Sequence, residues 1–230
     1  MQHFIDGEFN FLRERCCMIP LSDGISVTPH FAEIVTFMEL RELVRDDLAG
    51  KRVHIPTHKR GVTVPYGDVR KNYPQIAQYY QSEFLAQRIS RAVGTRVMPT
   101  PLDDQSSCSL LVYERPGDRI GWHYDHNFYN GRHFTALLAL VNEHFVEHRL
   151  SSAELQIEGE DGPLTVPTPP NTLVLFEGEF VRHAVTPLGK DERRVILSMT
   201  FCTDPTATPF HDLQRRFKDI AYLGVSALWT

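Results

Sequence analysis

The spacing of apolar residues changes along the chain. Between residues 28 and 50, and again after Pro74 and after Thr208, apolar residues recur every three or four positions. That spacing is typical of an amphipathic helix. Between residues 107 and 202, short apolar runs are instead separated by Gly, Pro and Asn, a pattern that predicts strands. The chain is therefore expected to have a β-rich centre with helices on both sides.

The predicted helices have recognisable starts and ends. Thr28 and Thr208 are each followed by Pro, which combines an N-cap residue with a proline at the first helical position. Gly50 and Gly94 predict the ends of the first two helices. The faces expected to cover the β-rich centre consist of Phe31, Ile34, Val35, Met38, Val44 and Leu48 in the first helix, Ile76, Tyr80, Phe84 and Ile89 in the second, and Phe210, Leu213, Phe217 and Ile220 in the third.

Seven segments in the centre have strand character: SLLVY, GWHYD, FTALLALV, AELQIE, NTLVLF, FVRHAV and RVILSMTF. Many short strands without intervening helices predict a β sandwich or barrel and not β-α-β units. We expect a single domain over residues 1–230, with a mostly helical cover over 1–106, a barrel over 107–203 and a C-terminal helix over 204–230. The segment over residues 54–68 is expected to be a loop with at most one strand.

His123 and Asp125 are candidate metal ligands. On a strand, side chains at positions i and i+2 leave the same face, so this imidazole and this carboxylate can share one ion. His183 lies in a strand that returns after the turn at Glu177 and Gly178, and it can bring a third ligand to the same end of the barrel. Two histidines and one carboxylate on one face of an ion leave coordination positions open, as in non-haem Fe(II) oxygenases.

The last predicted strand carries two arginines on opposite faces. Arg194 shares its face with Ser198, whereas the face of Arg193 is otherwise apolar and consists of Val195, Leu197, Met199 and Phe201. A planar guanidinium suits a carboxylate held by two hydrogen bonds, and we assign Arg194 to the barrel interior for that purpose. The alternative is a surface Arg194 paired with Asp191 or Glu192, with Arg193 as the anion-binding residue.

Together these residues resemble the 2-oxoglutarate- and Fe(II)-dependent dioxygenases, in particular the branch that includes prolyl 4-hydroxylases. That family has an H-x-D motif, a distal His, then an Arg or Lys followed by a Ser or Thr, and a Tyr ahead of the H-x-D motif. The matching residues here are His123, Asp125, His183, Arg194, Ser198 and Tyr113. The match covers residues 108–202, and Asn171 stands where the family often has Gly.

The resemblance implies a mainly β fold, a double-stranded β-helix (a jelly-roll or cupin-like barrel) with flanking helices. It implies Fe(II) bound by the two histidines and Asp125, and 2-oxoglutarate as a cosubstrate whose far carboxylate pairs with Arg194, helped by Ser198 and Tyr113. Oxygen would be the oxidant, with succinate and CO₂ as products. Because Asp125 fills the position that halogenating members leave without an acid, the resemblance favours hydroxylation, desaturation or ring formation.

Four residues near the motif are candidate substrate-binding residues. His126, Asn127 and Tyr129 directly follow the strand with the metal ligands, and Arg115 is a candidate partner for an anionic group. A polar loop without a role in binding is the alternative for the first three residues. A solvated loop arginine is the alternative for Arg115.

Composition narrows the class of partner. The 24 Lys and Arg against 29 Asp and Glu leave no excess base to neutralise a nucleic-acid backbone. No apolar run approaches a membrane span, the first residues lack the apolar core of a secretion signal, and the 4 cysteines lack regular spacing. We therefore expect a cytoplasmic enzyme with reduced thiols that acts on a small molecule, such as an amino acid or natural-product intermediate, and that binds neither nucleic acid nor membrane.

Several alternatives compete with this hypothesis. One is a peptidyl hydroxylase of the prolyl hydroxylase type, and another is a non-redox, cupin-like metal-binding barrel, which would not require Arg194. A metallohydrolase is disfavoured because Gly121 stands where its motif needs a His. A second metal site at His54 and His58 is disfavoured because Pro56 lies between them and would break a helix.

Overall fold

The computed structural model describes residues 19–22, 24–48, 50–55, 58–211 and 213–215. Within these ranges, thirteen strands belong to one antiparallel sheet. The strands are β1 (Ile19–Ser22), β2 (Ile25–Thr28), β3 (Lys51–Ile55), β4 (Lys59–Val64), β5 (Met98–Pro99), β6 (Cys108–Tyr113), β7 (Arg119–His123), β8 (His133–His144), β9 (Leu155–Gly159), β10 (Gly162–Val166), β11 (Leu173–Glu177), β12 (His183–Val185) and β13 (Glu192–Cys202). The helices are α1 (Ile34–Leu43), α2 (Tyr66–Asn72), α3 (Pro74–Gln81) and α4 (Glu83–Val93).

The sheet curls into a jelly-roll barrel. Its order is β1-β2-β11-β8-β13-β6-β4-β7-β12-β9-β10, with β3 paired to β4 and β5 to β13. Strand β4 pairs with β6 on one side and β7 on the other, so it joins the larger half of the barrel to the smaller half. All seven strands predicted from the sequence are present, and the predicted mainly β fold is confirmed.

The two faces of β13 contact different apolar cores. The inner core contains Ile196 together with Ile120, Leu137, Leu155 and Val174. The outer core lies between the sheet and the helices, and it contains Val195, Leu197, Met199 and Phe201 together with Leu40, Tyr66, Ile76 and Ile89. The helices therefore cover the outside of the barrel, and the inside of β13 is left for other side chains.

Helix α1 begins later than predicted and uses a different face. Thr28 is the last residue of β2 and pairs with Leu173 of β11, so the helix begins only at Ile34. It also ends at Leu43 and not at the predicted Gly50, which directly precedes β3. Phe37 and Leu40 are its buried residues. The predicted face was wrong for three residues that are exposed: Ile34, Val35 and Met38. Because the helix packs through Phe37 and Leu40, these three residues point away from the sheet.

The second predicted helix is divided into α3 and α4. The break is at Ser82, whose Oγ accepts a hydrogen bond from the N–H of Leu85 and caps α4. Phe84 is exposed in the first turn after the break, contrary to the prediction. Gly94 ends α4 in the left-handed conformation, as predicted. The other residues of the predicted face are buried, namely Ile76, Tyr80 and Ile89.

The region 54–68 is not a loop with at most one strand. It contains the end of β3, all of β4 and the start of α2. Val62 and Val64 of β4 are buried in the outer core, and β4 pairs with β6. This pairing and burial stabilise a strand that Gly61 and the flanking Pro56 and Pro65 obscure in the sequence. The region before residue 107 thus adds strands as well as helices, and the predicted division into a cover, a barrel and a C-terminal helix stays a prediction.

The last described residues begin a helix at the predicted position. Residues 209–211 and 213–215 are helical, and Thr208 Oγ1 accepts a hydrogen bond from the N–H of His211. The predicted face was wrong for Phe210 and Leu213, which are exposed. Its other two residues, Phe217 and Ile220, lie outside the described residues, as do Cys16 and Cys17. None of the helices in the described ranges has the length and apolarity needed to cross a membrane.

Candidate active site

The three predicted metal ligands converge at one end of the barrel. Strands β7 and β12 pair so that His123 stands opposite His183, and the centroids of their rings lie 4.2 Å apart. Oδ1 of Asp125 lies 3.7 Å from Nε2 of His123 and 3.9 Å from Nε2 of His183. Ligand atoms at about 2.1 Å from a common ion lie roughly 3–4 Å apart, so one ion can contact all three side chains.

Backbone carbonyls orient both imidazoles. Nδ1 of His123 lies 2.9 Å from the carbonyl oxygen of Gly121, and Nδ1 of His183 lies 3.0 Å from that of Val181. A carbonyl accepts, so each Nδ1 carries the hydrogen and each Nε2 keeps its lone pair. This is the orientation that metal-binding histidines usually have. Both lone pairs are directed toward Asp125.

Asp125 is held by Thr135 and by the turn before β12. The Thr135 hydroxyl donates to Oδ2 of Asp125 at 2.6 Å, and the Asp125 N–H donates to the carbonyl of Gly178 at 3.0 Å. A Cβ on residue 178 would lie 2.5 Å from the Cβ of Asp125, so Gly178 is required for this close approach. Oδ2 is thereby occupied and Oδ1 faces the two histidines.

The environment favours the protonation states that bind metal. Burial, and then the nearby His183, lower the pKa of His123 to about 4, so its imidazole is neutral at pH 7. Burial by itself would raise the pKa of Asp125, but His183, His123 and the Thr135 hydrogen bond hold it below its ordinary value. A neutral imidazole and an ionised carboxylate bind metal without first losing a proton.

Arg194 lies on the inner side of β13. It is 1% exposed, and its Nη1 donates to Thr168 Oγ1 at 2.7 Å and to the carbonyl of Ala153 at 3.3 Å. Its Nε has no hydrogen-bond partner among the described residues, and no carboxylate of those residues forms an ion pair with it. Burial lowers the pKa of Arg194 to about 10, so the group stays charged at pH 7. A buried cation without a counter-charge is costly unless a ligand supplies one.

Arg193 lies on the opposite side of β13. Its guanidinium donates to the backbone carbonyls of Arg45 and Asp46, which follow α1. The chain itself therefore satisfies Arg193. Tyr113 pairs in register with Arg194 and is buried, and burial raises the pKa of its hydroxyl.

A cavity of about 340 Å³ opens beside the three candidate metal ligands. Ser198 lies in its wall, whereas Arg194 and Tyr113 lie outside the cavity wall. The polar residues of the wall include His123, Asp125, Ser109, Ser198, Lys59 and Thr63, together with Asp104, Gln105, Ser106, Thr135, Thr200, His58, His126 and His133. A cavity of this size suits a small ligand.

Solved structures of other proteins share this architecture. A prolyl-4-hydroxylase from Pseudomonas putida is 20% identical, with a TM-score of 0.53 over 78% of this chain and 91% of that chain. The epimerase SnoN from nogalamycin biosynthesis, solved with Fe3+, alpha-ketoglutarate and nogalamycin RO, is 16% identical, with a TM-score of 0.60 over 83% and 85%. A prolyl hydroxylase from Trichoplax adhaerens, in complex with a peptide fragment of hypoxia inducible factor, is 16% identical, with a TM-score of 0.54 over 80% and 84%. The chain has the fold of the 2-oxoglutarate- and Fe(II)-dependent oxygenases. No protein-family model matches the sequence, and no curated protein does.

Of the four candidate substrate-binding residues, His126 reaches the cavity of this oxygenase fold. Asn127 lines an adjoining depression, and its Oδ1 accepts a hydrogen bond from the N–H of Tyr129. Tyr129 is buried and donates its hydroxyl hydrogen to Asp104 at 2.8 Å. Arg115 lines a separate depression beside α1, away from the candidate metal ligands.

Sequence reasoning missed the cavity residues of β4. Lys59 and Thr63 line the cavity, and the ring of His58 lies edge-on at 5.6 Å from that of His123. Burial lowers the pKa of Lys59 to about 8, partly offset by attraction to Asp125. The signal available in the sequence was the alternation of Val62, Thr63 and Val64, which is typical of a strand.

Proposed function

We propose that the protein is an Fe(II)- and 2-oxoglutarate-dependent oxygenase. One observation carries the proposal: the barrel holds both a cluster of two His and one Asp and a buried Arg194 without an acidic partner in the described residues. The first feature suits a metal and the second suits an anion. The alternative, a metal-binding barrel without redox chemistry, would not require the buried arginine.

The residues present fit Fe(II). Two imidazoles and one carboxylate on one side of an ion leave the other side open, which is the ligand set of non-haem Fe(II) oxygenases. The carbonyls of Gly121 and Val181 orient the imidazoles through Nδ1, and the Thr135 hydroxyl orients the carboxylate through Oδ2. The ligand set would therefore be held rigidly before the ion arrives.

The residues present also fit 2-oxoglutarate. The unpaired Nε of Arg194 is an orphaned donor on a buried cation, and a carboxylate is the group that such a guanidinium binds best. Thr168 holds Arg194 through Nη1, so the guanidinium does not need to reorganise on binding. Ser198 lies on the inner side of β13, four residues after Arg194, and Tyr113 of β6 pairs in register with Arg194; both would orient the same ligand.

In the proposed reaction the bound metal would activate O₂, which would oxidise both 2-oxoglutarate, to succinate and CO₂, and the substrate. His123, His183 and Asp125 hold the ion. Arg194 orients the cosubstrate through its far carboxylate, and the cavity walls hold the substrate beside the ion. His126, Asn127 and Tyr129 are proposed to form the mouth of the cavity, either by direct contact or by shaping its loop.

The proposed reaction is oxidation of an unactivated C–H bond in a small molecule such as an amino acid or natural-product intermediate, with hydroxylation as the expected outcome. The cavity volume of 340 Å³ favours a small substrate. A peptidyl hydroxylase is the second candidate, favoured by the presence of prolyl hydroxylases among the structural neighbours. Cys108 and Cys202 are free thiols, which is in keeping with the proposed cytoplasmic location.

Succinate formation tests both the reaction and the class of substrate. Purified protein is supplied with Fe(II), O₂ and 2-oxoglutarate, then with single amino acids or with proline-containing peptides. We expect succinate to require the metal and O₂, and amino acids to stimulate it more than peptides do. Stimulation by peptides alone would favour the second candidate. No succinate above the level of His183→Ala under any condition would refute the oxygenase.

A further inference from the structure

Two polar side chains of β4 face the cavity beside the candidate metal ligands. Lys59 and Thr63 lie at positions i and i+4 of the strand and therefore on the same face. Both line the cavity that also contains His123 and Asp125. Lys59 pairs with Ile120 of β7, the strand that ends at His123, so β4 forms the wall next to the metal ligands. Neither residue belongs to the motif that carries the proposed metal and 2-oxoglutarate sites.

Lys59 lacks a counter-charge of its own. No carboxylate of the described residues forms an ion pair with its ammonium group. The acid that attracts it electrostatically is Asp125. Since Asp125 is the proposed acidic ligand of the metal, its charge would be taken up by the ion. Lys59 would then be a half-buried cation in the cavity wall with no anion to balance it, a situation that a bound anion relieves.

Thr63 supplies an independent indication of a ligand. The residue is 7% exposed, and its Oγ1 is buried with no hydrogen-bond partner in the part of the chain that the structure describes. Buried hydroxyls are nearly always hydrogen-bonded. The side chain lies in the wall of the cavity, so a molecule in the cavity would supply the missing partner.

We propose that Lys59 and Thr63 form a second carboxylate-binding position, beside the metal ligands and separate from Arg194. The carboxylate accepts hydrogen bonds from the Lys59 ammonium and the Thr63 hydroxyl. It belongs either to the substrate or to the end of 2-oxoglutarate nearest the metal, and the two sources share the same chemistry. This inference rests on the proposed function. A single lysine and a cavity of about 340 Å³ fit a small monoanionic group.

Three variants separate the roles of the residues. Lys59→Met removes the charge and keeps an unbranched chain, Thr63→Val removes the hydroxyl at constant shape, and Lys59→Arg keeps the charge. Lys71→Met serves as the control, because Lys71 is exposed on α2 and lies outside the cavity wall. Thermal unfolding identifies any variant that fails to fold, and the Thr63→Val variant then carries the test alone.

The first measurement uses the visible charge-transfer band of the anaerobic Fe(II) protein. One arm titrates 2-oxoglutarate. The other arm, at saturating 2-oxoglutarate, titrates each proteinogenic L-amino acid and its primary amide and follows the shift of the band. We expect Lys59→Met to raise the half-saturating concentration by about 10- to 100-fold in one arm, with a smaller increase for Thr63→Val. If the half-saturating concentration rises for amino acids and not for their amides, the carboxylate belongs to the substrate. If it rises for 2-oxoglutarate, the carboxylate belongs to the cosubstrate.

Unchanged half-saturation in both arms for folded Lys59→Met would overturn the proposal. A second measurement keeps this result distinct from a failure of the proposed function. Acetate and acetamide are titrated by calorimetry into the Zn(II)-loaded protein. This measurement requires neither O₂ nor 2-oxoglutarate. If the wild type gives no charge-transfer band, the calorimetric titration alone decides whether Lys59 and Thr63 bind a carboxylate. Acetate binding that exceeds acetamide binding and is lost in Lys59→Met supports the site, and equal binding by both proteins overturns it.

Discussion

Arg193 and Arg194 are neighbours in the sequence but belong to different regions of the molecule. Arg193, on the outer side of β13, donates to two backbone carbonyls that follow α1. Arg194, on the inner side, is fully buried, and its Nε has no partner in the described chain. The guanidinium is thus hydrogen-bonded by the protein at one position and keeps an unpaired, buried Nε among the described residues at the next. Strand alternation, and not residue type, decides which arginine can take part in chemistry.

The two sides of β13 differ in the same way along the whole strand. Its outer side is apolar and packs against the helices, as Leu197 and Phe201 do. Its inner side carries Arg194 and Ser198, which face the interior or the cavity. The outer region should therefore determine the free energy of unfolding, and the inner region should determine ligand binding. Variants of the two regions should separate these properties.

The largest effect is expected inside the barrel, at the metal ligands. His183→Ala removes one of the two Nε2 atoms proposed to bind the metal, and we expect the affinity for Fe(II) to fall by more than about 100-fold, with no turnover. Calorimetric titration with Fe(II) under anaerobic conditions measures the affinity. His148→Ala, which changes an exposed histidine, is the control. Equal Fe(II) affinity in the two variants would exclude His183 as a ligand.

The next effect concerns the inner arginine. Arg194→Met removes the guanidinium at nearly constant length, and we expect 2-oxoglutarate binding to weaken by about 2–5 kcal/mol because a buried charge pair is lost. The half-saturating concentration of 2-oxoglutarate for the charge-transfer band gives this value. Fe(II) affinity should stay close to that of the wild type. A loss of Fe(II) binding instead would mean that Arg194 acts by supporting the barrel.

A variant on the outer side of β13 should lower the free energy of unfolding and leave 2-oxoglutarate binding unchanged. Leu197 is fully buried against the helices, and Leu197→Ala should lower the free energy of unfolding by about 2–5 kcal/mol through lost burial and a residual cavity. Urea denaturation measures the change. The half-saturating 2-oxoglutarate concentration of the folded variant should match the wild type. A change in both properties would show that the two sides of β13 are not independent.

The smallest effect is expected for the outer arginine. Arg193→Met should change the free energy of unfolding by less than about 1 kcal/mol, because its hydrogen bonds lie near the surface. Its 2-oxoglutarate binding should equal that of the wild type in the same titration. If Arg193→Met weakened 2-oxoglutarate binding more than Arg194→Met, the assignment of inner and outer sides would be reversed.

Local spacing was enough to predict much of the barrel. The i, i+2 spacing of His123 and Asp125 places both side chains at one end of β7, and the register of β12 brings His183 opposite His123. Alternation along β13 predicts that Arg194 is buried and that Arg193 is not. The shared face of His123 and Asp125 and the opposite faces of Arg193 and Arg194 depend on strand geometry alone. The position of His183 opposite His123 also depends on the long-range pairing of β12 with β7.

Features that depend on tertiary contacts could not be predicted in the same way. Strand β4 contains Gly61 and is followed by Pro65, and its pairing with β6 and β7 is what makes it a strand. Its cavity residues, Lys59 and Thr63, were missed for that reason. Thr28 looks like a helix cap because Pro29 follows it, but pairing with β11 extends β2 through Thr28 and delays α1. Long-range pairing overrides local start signals at both places.

The most direct test of the account is an anaerobic titration of the purified protein with Fe(II) and then with 2-oxoglutarate, followed by visible absorption. The account predicts a charge-transfer band that needs both additions, that is absent in His183→Ala, and that needs a much higher 2-oxoglutarate concentration in Arg194→Met than in Arg193→Met. Folded wild-type protein that binds Fe(II) and gives no band at any 2-oxoglutarate concentration would contradict it.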